Sequence, residues 1–333
     1  MAIQSVITSE EVKCLLAETV VQSTREISEE NGKRKVEGKT KFIALTEGVF
    51  YPNEYGLLLK AQSEKGDGSL ASDRLKDFRN KGIFFHGYLD PKYFETVPDL
   101  NSATGIAVQY FRLKQGQLPS EALKAAQKGL SLLACGEATQ VSFYAALHRI
   151  WGRDKFNAIF QHPKSRFEIG AHSRRNPLKR LSRVIPLSRF QSFERGQHAY
   201  VQGIPNYYRI KHPNGEGVGF NVYCMDATPG QERFGGLGLK PGGETLEEIA
   251  LLILNEYNQS SLGTSLVTDE VAFELSSVVN RSEYLKDDVK TLQEFEELGG
   301  GKITGVGEID ADKASLIANQ SIEEAVKTFQ TFK

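Results

Sequence analysis

Three side chains in this sequence could together break and remake an amide: the thiol of Cys135, the imidazole of His198 and the carboxamide of Asn221. A thiolate attacks the carbonyl carbon, an imidazole moves the proton, and a third group fixes the imidazole in one tautomer. Cys135 lies in Leu132-Leu133-Ala134-Cys135-Gly136-Glu137-Ala138, at the mouth of an apolar run that ends at Trp151. In the first turn of a helix, unpaired amides and the dipole stabilise a thiolate, lowering its pKa from roughly 8.5 to about 7.5 or below. The same amides can hold the oxyanion of a tetrahedral intermediate. The competing expectation is burial, because cysteine behaves as a small hydrophobe and two leucines precede it closely.

His198 opens a strand-like run, Gly196-Gln197-His198-Ala199-Tyr200-Val201. From there its ring can reach a thiol on a neighbouring helix and act as base, then acid. The other histidines, His86, His148, His162, His172 and His212, have no evident partner in sequence. If 199–202, 207–211 and 219–225 form a meander, the first and third strands run parallel with their starts close. That arrangement favours Asn221, whose carbonyl can accept the imidazole N–H. Glu216 stays open as an alternative, and so does Asp226 at the far end of the third strand.

Several other chemistries find no support. Three cysteines without CxxC spacing give neither a zinc cluster nor a disulfide framework. Gly235-Gly236-Leu237-Gly238 does not match a dinucleotide fingerprint, and P-loop, HExxH and GxSxG patterns are absent. No cofactor and no metal are expected. A formal charge of −1 removes any global drive toward nucleic acid or an anionic membrane. The local basic run from Arg174 to Arg189 is broken by Pro177 and Pro186, and reads as a solvated connection or lid. The first residues lack the basic and apolar regions of a cleavable leader, so the expected location is the cytoplasm, or secretion as an effector without such a leader.

The elements that must position these groups follow from periodicity and punctuation. An amphipathic helix opens at Ser9-Glu10-Glu11, and strands are expected at 41–45, 48–51 and 82–88. A short helix follows Pro119 to Lys128. The run from Gly136 to Trp151 is apolar on nearly every side, which predicts a helix buried in the middle of the domain. A helical turn starts at Arg153. Asn214-Gly215 between alternating runs predicts a hairpin. Thr245 and Glu248 make a capping box for a helix to Tyr257. Helical segments are expected near 269–279 and 321–329, divided by Gly299-Gly300-Gly301. The chain divides into an N-terminal mixed extension (1–118), a core (119–258) and a mainly helical C-terminal segment packed on it (259–333).

Cysteine at a helix start, then histidine, then an amide or acid on the next strand is the order found in papain-like acyl-transfer enzymes. More specifically, Ala134 to Asn258 resembles the bacterial protein-glutamine γ-glutamyltransferases of spore coats. The resemblance rests on Ala134-Cys135-x-x-Ala138, on Gly152-Arg153-Asp154-Lys155-Phe156-Asn157-Ala158-x-Phe160, and on Gly196-Gln197-His198. Tyr207 to Pro213, Gly219-Phe220-Asn221-Val222 and Phe234 to Gly238 complete the series. That family has an acid before the nucleophile, where this chain has Ala134. Its catalytic glutamate in Gly-Glu-Asn falls on Phe220, and the histidine of its His-Gly falls on Gly235. The resemblance implies an α+β, transglutaminase-like fold with a buried helix on an antiparallel sheet. It implies thioester chemistry on protein glutamine, with a lysine or other amine, or water, as acceptor. A cysteine peptidase or isopeptidase would use the same machinery, and loss of the acid would suit a non-catalytic binding protein on that scaffold.

Overall fold

The structure is a computed structural model that describes residues 6–23, 88–100, 107–128, 131–133, 135–170, 176–204, 219–237, 239–240, 242–258 and 289–332. The strands expected at 41–45 and 48–51, the hairpin around Asn214-Gly215, the helix at 269–279, and His86, His172, His212 and Glu216 all lie outside the described residues.

In chain order the elements begin with helix α1 (9–23). Strands β1 (Tyr88–Leu89), β2 (Phe94–Leu100) and β3 (Ala107–Leu113), then helix α2 (Pro119–Lys128), follow. After β4 (Ser131–Leu132) come the central helix α3 (Cys135–Trp151) and α4 (Arg153–Gln161). Next are β5 (Glu168–Ile169), β6 (Ser182–Ile185), β7 (His198–Gln202), β8 (Gly219–Asp226) and β9 (Arg233–Gly236). Helices α5 (Leu246–Asn258) and α6 (Leu292–Glu297), strand β10 (Ile303–Ile309), and helices α7 (Ala311–Ala318) and α8 (Ile322–Thr331) close the chain.

The principal sheet has the order β6-β10-β7-β8-β9, with every pairing antiparallel. A second sheet, β2-β3-β5, is also antiparallel, and β1 pairs with β4. The fold is therefore mixed α+β with antiparallel sheets. Two features depart from the sequence expectation. The basic stretch is not only a connection: 182–185 forms the edge strand β6, between short 3-10 turns at Pro177–Arg180 and Leu187–Arg189. And the C-terminal region supplies β10, seated between β6 and β7. Gly305 and Gly307 weaken the strand signal there, since glycine is depleted in strands.

Helix starts follow local chemistry. Thr8 and Glu11 exchange hydrogen bonds at the start of α1, Thr245 and Glu248 at α5, and Ser321 and Glu324 at α8. Each capping box satisfies amides that a helix start leaves unpaired. α3 is covered on several sides, by α2, α4 and α7 and by strands β5, β8 and β9. This explains why its apolar residues are not confined to one stripe.

Two hydrophobic cores lie on opposite faces of the principal sheet. The α3 side is dominated by rings: Tyr144 packs on Phe167 with centroids 4.2 Å apart, and Phe156 on Phe160 at 4.8 Å. Trp151 and Phe329 join the same cluster. The polar tips are satisfied, with Trp151 Nε1 donating to the Ala314 carbonyl at 3.0 Å and the Tyr144 hydroxyl to that of Glu168 at 2.9 Å. The second core joins Ala199, Val201, Val222, Phe234 and Val306 to Ile249, Ile253 and Tyr257 of α5. Among the described residues no helix is long and apolar enough to cross a membrane.

Phe160 touches Tyr144, Trp151, Phe156, Phe167 and Phe329 and is fully buried. Phe160→Ala is expected to remove about 3–5 kcal/mol of stability in urea unfolding, the usual cost of an aromatic cavity. A loss below about 1 kcal/mol would show that this cluster does not hold the helices together.

Candidate functional site

The site begins with strand alternation. His198, Tyr200 and Gln202 are partly exposed on β7, while Ala199 and Val201 are buried against α5. On β8, His198 pairs with Tyr223 and Tyr200 with Asn221. Directly opposed residues share a face, so His198, Tyr200, Asn221 and Tyr223 all point toward α3. This corrects the expected meander: β7 and β8 are direct antiparallel neighbours, not parallel strands separated by a third. Asn221 still reaches His198, because it is the diagonal neighbour across the pair, two residues from Tyr223.

Helix α3 is fastened to this face. The Tyr223 hydroxyl donates to the Thr139 carbonyl at 2.6 Å, and the Thr139 hydroxyl donates to the Cys135 carbonyl at 2.9 Å. Phe143, two turns along from Cys135, meets Tyr223 edge-on at 5.4 Å and His198 at 6.5 Å. Residues 135, 139 and 143 thus line one face of the helix. Cys135 is its first residue and is only half-buried. Neither other thiol fits the role. Cys14 is exposed on α1, and Cys224 is fully buried on the far face, where burial pushes its pKa up to about 12.

The three expected residues come together around the amide of Asn221. Its Nδ2 donates to Cys135 Sγ at 3.1 Å, and its Oδ1 lies 2.8 Å from His198 Nε2. The Cys135 sulfur also lies 4.0 Å from the Gly219 carbonyl oxygen. Among the described residues no hydrogen bond joins the sulfur directly to the ring; the carboxamide stands between them. With the amide oxygen toward the ring, Nε2 carries the hydrogen and Nδ1 is the basic nitrogen. Burial against Phe143 and Tyr223 holds the His198 pKa below the ordinary histidine value, and the bond from Asn221 opposes that shift.

The remaining candidates separate from this cluster. Asp226 sits exposed at the far end of β8, where its carboxylate accepts from the Thr228 amide at 2.9 Å and hydroxyl at 2.7 Å. Those bonds hold its pKa below the usual range. Phe220 packs into the α5 core, on the face away from Cys135. His148 is packed edge-on against Phe156 within α3, its pKa lowered by burial and by Arg153. Arg183 pairs with Glu308, and Arg180 bonds Gln330 and lies over the Phe329 ring. These two basic side chains have partners within the fold. Among the described residues no group of three His, Cys, Asp or Glu side chains could hold a metal.

Sequence reasoning missed Thr139, Phe143, Tyr200 and Tyr223 as groups around the thiol. A signal was present in β8, where Asn221 and Tyr223 alternate with Val222 and Cys224.

No known family profile matches the chain, and no curated protein matches it in sequence. In three dimensions it is similar to a transglutaminase from Geobacillus stearothermophilus, described without its C-terminal extension. The superposition covers 94% of this chain and 98% of that one, with a TM-score of 0.49 and 13% sequence identity.

The electrostatics of His198 generate a test. A histidine whose folded pKa lies below its unfolded value of about 6.5 binds its proton more readily when unfolded. Its effect on stability is absent well above that pH, and stability falls as the pH drops below it. The His198 ring should titrate by NMR below about 6.5, and Asn221→Ala should move that titration further down, because the Asn221 bond favours the charged ring. An upward move in Asn221→Ala would overturn this account of the site.

Proposed function

We propose that this chain is a transglutaminase-like acyltransferase of the papain-like class, which takes the acyl group of a protein glutamine onto Cys135. The observation that carries the reading is the Asn221 carboxamide, bonded at once to the Cys135 sulfur and to His198 Nε2, at the first turn of a buried helix. The order and spacing of the quoted motifs support the same family.

In this mechanism Asn221 holds the ring through Nε2 and leaves Nδ1 free to take the thiol proton. Hydrogen bonds of such sites tighten when substrate binds, so the separated resting geometry is compatible with transfer. The sulfur adds to the glutamine carboxamide carbon. Ammonia then leaves with the proton that His198 holds, and a thioester remains. A lysine amine or another primary amine resolves the thioester to an isopeptide, or water resolves it to glutamate. Excluding water from the acceptor side would favour the amine. The partners are accordingly proteins, as glutamine donors and as amine acceptors.

A second reading has one observation in its favour. The position of the family's catalytic glutamate is Phe220, whose side chain packs on the opposite face of the sheet. A binding protein on a decayed scaffold would tolerate that change. The two readings part at the thiol: a working site should label with iodoacetamide at pH 6 faster than a free cysteine does, and a decayed one should not.

The direct test is ammonia release and incorporation of a fluorescent alkylamine into a glutamine-rich protein. Cys135→Ala is expected to abolish both. His198→Ala should lower both by about 10²–10⁴-fold, the usual weight of a general acid–base. Peptide cleavage without ammonia release would replace this reading with a peptidase.

A further inference from the structure

A phenol shares the face of the sulfur. Tyr200 follows His198 by two residues and pairs across the strands with Asn221, so its side chain leaves the sheet on the α3 face. Its ring leans along the sheet onto Gly219. A Cβ built at Gly219 would stand 2.6 Å from the Tyr200 hydroxyl oxygen and 2.7 Å from Cζ. The Gly219 carbonyl is the group 4.0 Å from the Cys135 sulfur. The hydroxyl and the sulfur therefore converge on one glycine, and only the missing side chain at 219 lets the phenol lie there.

We propose that the Tyr200 hydroxyl donates a hydrogen bond to the oxyanion formed when Cys135 adds to a carbonyl. This rests on the acyl-transfer reading of the same site and names a catalytic residue within it. The step needs no proton from the phenol. The sulfur pair forms the C–S bond, the carbonyl π pair moves onto oxygen, and that oxygen accepts from the Tyr200 O–H. When the tetrahedral centre collapses, the pair returns to carbon and the amine leaves with the His198 proton. Burial and the nearby Cys135 sulfur both raise the Tyr200 pKa, so the phenol stays protonated. Cys135 is the first residue of α3, and the first-turn amides that a helix leaves unpaired are the other donors such a site would use.

Tyr200→Phe removes only the hydroxyl and keeps the ring on Gly219. Loss of one oxyanion donor costs on the order of 10²-fold or more in kcat, so ammonia release should fall by that amount with KM little changed. Alkylation of Cys135 by iodoacetamide passes through no oxyanion and should keep its rate and pH profile. The decisive probe is butanal, which adds reversibly to the thiol and places an oxyanion or hydroxyl where the intermediate would be. Protection of Cys135 by butanal against iodoacetamide should weaken about fivefold in Tyr200→Phe, the weight of one hydrogen bond to the adduct hydroxyl. Equal butanal protection in the two proteins, or an equally slowed alkylation, overturns the proposal. Ammonia release by the native chain with unchanged butanal protection would sink the phenol's role alone. Absent ammonia release with Tyr200-dependent protection would sink the glutamine reading alone.

Discussion

The site depends on the register of β7 against β8. Side chains alternate with period two, so a slip of one residue would carry His198, Tyr200, Asn221 and Tyr223 together to the α5 side. What prevents the slip lies on the other face. Ala199, Val201, Val222 and Cys224 are all fully buried there, and a slip would expose them. Backbone bonds extend the pairing past the strand start, from the Gly196 amide to the Cys224 carbonyl at 2.8 Å and from the Cys224 amide to the Gln197 carbonyl at 2.9 Å. Hydrophobic burial against α5 thus fixes a polar constellation facing α3. The helix is held to the same register by Tyr223, which stands opposite His198 and reaches Thr139, one turn from Cys135.

An amide between thiol and imidazole has an electrostatic logic. A carboxylate beside a buried ring would have to be desolvated, and a buried charge without a partner is costly. Two of the acids this fold buries have a cation beside them: Arg112 stands 2.9 Å from Glu168, and Lys240 stands 3.2 Å from Glu244. No cation contacts the Asn221 cluster among the described residues. A carboxamide satisfies a donor on one side and an acceptor on the other without net charge. It orients the ring as an acid would, but lends less stabilisation to an imidazolium. The depressed His198 pKa is the counterpart of that choice: the ring rests neutral, as a base must before it takes a proton.

Much of this was legible because local rules decided it. The capping box at Thr245 and Glu248 placed α5 within a residue of its observed start, and the all-round apolar run marked α3 as the helix at the centre. Cys135 at the first turn needed only the boundary between a short loop and that run. Non-local pairing was harder to see. Asn221 was reached through a strand order that does not exist here, because sequence carries alternation but not which strands are neighbours. β10 was invisible because its two glycines blunt the strand signal, and β6 because its residues are largely exposed and carry no inward stripe. Phe220 looked like a lost acid in the motif. In the fold it faces the other core, and the side chain beside the sulfur belongs to its neighbour Asn221.

Both far ends of the described chain bear on the strand that carries His198. β10 pairs along β7, setting Gly307 opposite His198, and the Gln197 side chain donates to Glu308, 111 positions away, at 2.9 Å. α1 crosses the approach to β7 so closely that a Cβ on Gly196 would stand 2.6 Å from the Ala17 Cα. The two ends also bind each other: the Ile7 amide donates to Asn319 Oδ1 at 2.9 Å, and Asn319 Nδ2 donates back to the Ile7 carbonyl at 2.7 Å. Contacts between segments so distant in sequence form late, since loop closure must precede their reward. Until the C-terminal strand docks, β7 is an edge whose free amides and carbonyls face outward. The thiol can sit on its helix early, because α3 is local. The strand that carries the imidazole is paired on both sides only when β10, in the last tenth of the chain, has closed the sheet beside it.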